Sequence, residues 1–179
     1  IGAAVMNMFG GAKFKIISGY RGTKTSYLAM ERGELDAAAT SWTTLNVRHA
    51  KELKDGTFVP ILQLTRKRTS YLPNTPAITE FGTSKGEKTF VEIVGVGAEI
   101  GRTLAGPPGM PKHLVTAWRK AFTATMNDQA FVTDITKRKS RLNPQTGAQM
   151  TEIVNSVMNL PKADIAAADV VYQKLLKAK

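Results

Sequence analysis

The stretch KFKIISGYRGTKTSYLAMERGELDAAATSW, Lys13 to Trp42, decides how the rest of the chain is read. Its apolar residues Phe14, Ile16 and Ile17 stop at Ser18-Gly19, and Tyr20 with Gly22-Thr23 marks a turn. A helical stretch Thr25–Arg32 then ends at Gly33, and Leu35–Ala39 is apolar again. Short apolar runs bounded by turn signals predict buried strands, and two of them around a helix predict a parallel pair. In open α/β sheets ligands bind outside the carboxyl ends of the strands, which here would be Tyr20–Thr23 and Thr40–Trp42.

Working outward, the alternation continues. A helix over roughly Thr44–Leu53 stops at Asp55-Gly56 and feeds an apolar run Phe58–Leu64. Strand, helix, strand, helix, strand predicts an α/β chain, a parallel sheet flanked by helices. Residues 1–9 read as the end of a helix stopped by Gly10-Gly11. The polar, basic segment Thr65–Pro76 carries Pro73 and Pro76, which interrupt regular structure, so it reads as a hinge or linker. Ser84 is placed to cap a helix over Lys85–Val94, and Arg102–Gly106 reads as a short strand stopped by Pro107-Pro108. After Pro111 the residues Leu114, Val115, Trp118, Ala121, Phe122 and Met126 form a helical stripe. Gln129–Lys139, Thr146–Leu160 and Lys162–Leu176 read as further helices.

Composition narrows the function classes. The absence of cysteine among the 179 residues excludes disulfides, thiolate nucleophiles and cysteine-ligated metals. No apolar run approaches the ~18 residues that a membrane-spanning helix needs. A formal charge of +11, from 25 Lys+Arg against 14 Asp+Glu, calls for an anionic partner or for solvated basic faces. The basic residues gather at Arg66-Lys67-Arg68, at Lys137-Arg138-Lys139 with Arg141, and at Lys174, Lys177 and Lys179. A nucleic-acid groove would interleave aromatics among them; only Tyr71 lies near the first cluster and none lies within the second. Solvated faces are therefore the preferred reading, and a basic nucleic-acid-binding module is the alternative.

Candidate chemistry is sparse. Gly95-Val96-Gly97-Ala98-Glu99-Ile100-Gly101 imitates a dinucleotide fingerprint, but no acidic residue follows before Asp128 and no cofactor is expected. His49 and His113 are the only histidines and read as surface residues; no metal site and no catalytic triad is expected. Glu31 and Glu34 read as a solvated helix end, whereas Asp36, inside an apolar run, would need a hydrogen-bonding partner. Tyr20, Gly22 and Thr23 are candidates for lining a ligand, because glycine lets backbone approach closely and a helix start offers free N–H groups to an anion. An ordinary strand-to-helix turn would use the same residues. Thr40, Ser41 and Trp42 could donate hydroxyls to a carboxylate and wall a cavity, or could cap a helix and pack.

The motifs Gly19-Tyr20-Arg21-Gly22-Thr23, Met30 to Asp36, Gly101 to Pro111, Ala121 to Asp128 and Asn143-Pro144-Gln145-Thr146-Gly147 follow one another in an order that resembles the substrate-binding proteins of tripartite tricarboxylate transporters, the Bug receptors. The resemblance covers nearly the whole chain from about Phe9. It implies a type II periplasmic-binding-protein-like fold, a periplasmic location, and a non-catalytic receptor that presents a small mono- or dicarboxylate to a membrane permease. It also implies a receptor truncated at its front, with residues 1–70 forming a partial α/β ligand-binding domain, 71–84 a hinge and 85–179 a helix-rich part returning to a missing first domain, so that the second domain is incomplete. Exposed strand edges would then favour a homodimer. The ligand-binding set is Tyr20, Gly22, Thr23, Thr40, Ser41 and Trp42.

Overall fold

The computed structural model describes residues 1–177 and is helical. Its α-helices are α1 (Gly2–Phe9), α2 (Thr23–Glu31), α3 (Trp42–Arg48), α4 (Ala50–Asp55), α5 (Lys85–Glu99), α6 (Lys112–Asn127), α7 (Gln129–Lys137), α8 (Gly147–Met158) and α9 (Lys162–Lys177). A 3₁₀ turn occupies Ile78–Glu80. Several starts are fixed by side chains that satisfy the first free amides. The Ser84 hydroxyl accepts from Glu87 N (3.3 Å) and the Glu87 carboxylate accepts from Ser84 N (3.0 Å). The same reciprocal pair joins Thr146 and Gln149, and Asp128 accepts from Phe131 N at 2.8 Å. Each such cap is worth about 1 kcal/mol.

The core lies where α5 and α9 cross. Phe90 and Val91 of α5 meet Ala168, Val171 and Leu175 of α9, with Val5 of α1 and Ile78 of the 3₁₀ turn closing the cluster. Glycine permits the crossing: a Cβ at residue 86 would fall 2.8 Å from the carbonyl oxygen of Ala167. Gly95 has a comparable role on the other side of α5, where a Cβ would lie 2.9 Å from Arg66 Cγ and 3.2 Å from Arg66 N. Of the glycines that imitate a dinucleotide fingerprint, Gly95 is explained by its close packing against Arg66.

The expected α/β sheet is not formed. Among the described residues helix accounts for 57% and strand for 1%, which makes the architecture all-helical and overturns the α/β, periplasmic-binding-protein-like reading. Phe14–Ser18, Leu35–Ala39, Phe58–Leu64 and Arg102–Gly106 run outside regular structure, and the one bridge among the described residues is the parallel Gln63–Ala77 pair. A strand requires a neighbour to take its N–H and C=O groups. Here Ile16 and Ile17 are 46% and 50% exposed, and no backbone hydrogen bond joins any two of the four expected strands. Asp36, expected inside a buried strand, is exposed for the same reason.

A hub at Gln63 organises the loop that follows. Its side chain is buried, donating from Nε2 to Leu72 O (2.7 Å) and Thr75 O (2.6 Å). Its Oε1 accepts from Thr69 N (3.1 Å) and Thr69 Oγ1 (2.6 Å). Its backbone closes the bridge, Gln63 N to Pro76 O at 2.9 Å and Ile78 N to Gln63 O at 2.8 Å. The proline-bearing segment expected to act as a hinge is therefore stitched to one side chain.

Candidate functional site

Gln63 holds the loop that carries Tyr71, and Tyr71 meets two residues from distant parts of the chain. The Trp42 ring stacks on it with centroids 5.0 Å apart and planes 27° from parallel. The Arg141 guanidinium carbon lies 4.0 Å from the Tyr71 ring centroid. Among the described residues no carboxylate lies within ion-pair distance of Arg141. A guanidinium lying against an aromatic face keeps its in-plane N–H donors available, and that fork matches a carboxylate.

Beside this stack the chain enters α3. Ser41 is the N-cap residue: its hydroxyl accepts from Thr44 N at 3.2 Å and pairs with the Thr44 hydroxyl at 2.9 Å. Its chemistry is thus committed to the helix. Thr40 Oγ1 is different, a buried hydroxyl without a well-formed hydrogen bond. Its neighbour is the buried Tyr27. Burial raises the pKa of the Tyr27 phenol, and the nearby Thr40 hydroxyl opposes that rise. Tyr27 in turn stacks on His49 (4.6 Å) and tilts against Phe58 (5.6 Å). His49, expected at the surface, is instead half-buried in an aromatic cluster.

The other expected group stands at the start of α2. Gly22 precedes α2 with φ 96°, a conformation that favours glycine, and Thr23 opens the helix with no side-chain cap. Tyr20 and Thr23 are exposed, and no hydrogen bond or aromatic contact joins them to Thr40, Ser41 or Trp42. The structure therefore brings Trp42 together with Tyr71 and Arg141, sets Thr40 beside Tyr27 of α2, and shows no side-chain contact between Tyr20, Gly22 or Thr23 and Thr40, Ser41 or Trp42 among the described residues. Sequence reading missed Tyr71 and Arg141 as partners because they lie far apart in the chain. The only signal was an aromatic residue close to one basic run.

Three arginines of the basic runs are ion-paired. Arg66 meets Glu99 (2.7 Å) and Glu92 (3.4 Å), Arg68 meets Glu80 (2.6 Å), and Arg138 meets Asp134 (2.8 Å). Glu80 is held at a pKa of about 2, first by the Arg68 hydrogen bond and then by the Ala77 N–H. Open depressions along α6 (Thr116, Arg119, Thr123) and between Arg66 and α8 (Gln149, Glu152) do not include Thr40 or Trp42. No group of three or more His, Cys, Asp or Glu among the described residues is placed to hold a metal ion. No family model, curated protein or solved structure matches the chain.

Proposed function

We propose that the chain is a non-catalytic receptor for small mono- or dicarboxylates, acting in the periplasm and passing its ligand to the permease of a tripartite tricarboxylate transporter. The observation that supports the ligand class is Arg141, set against the Tyr71 ring with no acidic partner among the described residues. In this reading Arg141 grips the carboxylate and Tyr71, backed by Trp42, holds the guanidinium in place. Thr40, whose hydroxyl lies beside the Tyr27 phenol without a well-formed hydrogen bond, would turn to donate to the ligand. The receptor role and its location draw on the family resemblance of the motifs around Tyr20 and Pro107. The reading does not depend on a sheet or on closure between two domains.

Calorimetric titration with acetate and succinate tests it. Binding should be detectable, and Arg141→Ala should weaken it about tenfold or more, the range for losing charge-assisted hydrogen bonds. Arg141→Lys should recover only part, since an ammonium cannot reproduce the planar fork. Absence of binding to either compound, or unchanged affinity in Arg141→Ala, would overturn the proposal. Tight binding to a single-stranded oligonucleotide that falls steeply with salt would instead favour the nucleic-acid reading, with Trp42 and Tyr71 as stacking surfaces.

A further inference from the structure

The segment Lys13–Gly19 leaves Gly11 and runs to Gly19 without turn or bend. One contact describes its backbone. The Asn7 side-chain amide donates to Phe14 O (2.8 Å) and accepts from Phe14 N (2.7 Å). An amide that pairs with both groups of one residue does what a neighbouring strand would do, and it requires those groups to point the same way, as they do in an extended chain. In such a chain Phe14, Ile16 and Ser18 share one edge and Lys13, Lys15 and Ile17 the other. Beyond Phe14 the supply of partners stops: no N–H or C=O of Lys15, Ile16, Ile17, Ser18 or Gly19 has a hydrogen-bond partner among the described residues.

We propose that Lys13–Gly19 is a docking edge for an extended acidic polypeptide segment, which adds to it as a β-strand. Main-chain hydrogen bonds supply the affinity in this mode, and alternate side chains supply the specificity. Charge identifies the occupant. Residues 1–30 contain no Asp or Glu, while Lys13, Lys15, Arg21 and Lys24 are exposed. None of these four has an ion-pair partner among the described residues. Lys13 and Lys15 fall on the same side of the extended segment, and Phe14 and Ile16 fall on the other. The partner that fits alternates acidic and apolar residues. A second copy of this chain would bring another +11 charge and the same lysines, which disfavours self-pairing.

The test uses the whole chain with a synthetic peptide of alternating glutamate and valine, and an equally long threonine–valine peptide as control. Hydrogen exchange should show slowed amides between Lys15 and Gly19 with the acidic peptide and little change with the control. Lys13→Glu and Lys15→Glu should each weaken binding roughly two- to fivefold. Ile17→Pro, which removes one N–H from a half-exposed position, should abolish it with the far-ultraviolet circular dichroism unchanged. If Ile17→Pro alters the fold, the two lysine reversals still decide. Equal protection by both peptides would overturn the proposal, as would no protection by the acidic one. Protection of the same amides in the free protein that rises with protein concentration would overturn it in favour of a second copy.

Discussion

Replacing Gln63 with alanine is expected to unseat the loop that presents Tyr71. The side chain makes two donations, to Leu72 O and Thr75 O, and two acceptances, from the amide and hydroxyl of Thr69. Thr75 is 7% exposed, so its carbonyl would have little access to water once the Gln63 donor is gone. That desolvated group costs about 1–3 kcal/mol. Thr69 and Leu72 are only half-buried and can recruit water, so their lost bonds cost about 0.5–1.5 kcal/mol each. The total is about 2.5–7.5 kcal/mol, which in urea moves the unfolding midpoint by about 1.2–3.8 M at a slope near 2 kcal/mol/M. Gln63→Glu discriminates further. Its carboxylate would face two carbonyl oxygens, raising the folded pKa above the unfolded value near 4.3. Stability is then greatest below the unfolded pKa and is lost as pH rises through the folded pKa. The assay is urea unfolding followed by circular dichroism, with Trp42 fluorescence reporting on the stack. A Gln63→Ala protein within about 0.5 kcal/mol of the parent, with unchanged exchange at the Thr69 amide, would refute the hub.

Gly86→Ala normally helps a helix, but here the added Cβ meets the Ala167 backbone at 2.8 Å, so a net loss of about 1–3 kcal/mol is expected in thermal or urea unfolding. Glu80 has a folded pKa of about 2 against 4.5 for the free group, so its contribution to stability is present above pH 4.5 and is lost as pH falls towards 2. Stability measured across that window should decline less in Glu80→Gln than in the parent. Ser84→Ala should remove the α5 cap and lower stability by about 1 kcal/mol, read by urea unfolding.

Helices were legible because their punctuation is local. Ser84 with Glu87 marks the start of α5 in three residues, and Gly56, with φ 80°, marks the end of α4. Only the limits shifted: α5 continues past Val94 to Glu99, and the expected Thr44–Leu53 helix divides into α3 and α4 around His49. Strands failed for a reason no window of sequence contains. Phe14–Ser18 has the composition of a buried strand, yet burial depends on a neighbour, and Ile17 remains half-exposed without one. The candidate site divides in the same manner. Thr40–Trp42 could be singled out from a turn following an apolar run, whereas the pairing of Tyr71 with Arg141 depends on how the Gln63 loop returns towards the start of α3.

The crossing of α5 with α9 also sets an order of events during synthesis. Between Glu99 and Lys162 lie some sixty residues, and closing a flexible loop of that length costs about 4 kcal/mol before any apolar surface is buried. Phe90, Val91 and Ile78 therefore have no lasting cover until Ala168, Val171 and Leu175 have left the ribosome. Val5, the earliest of these residues to emerge, waits longest. Until α9 arrives, Val5, Ile78, Phe90 and Val91 stay exposed to chaperones and proteases.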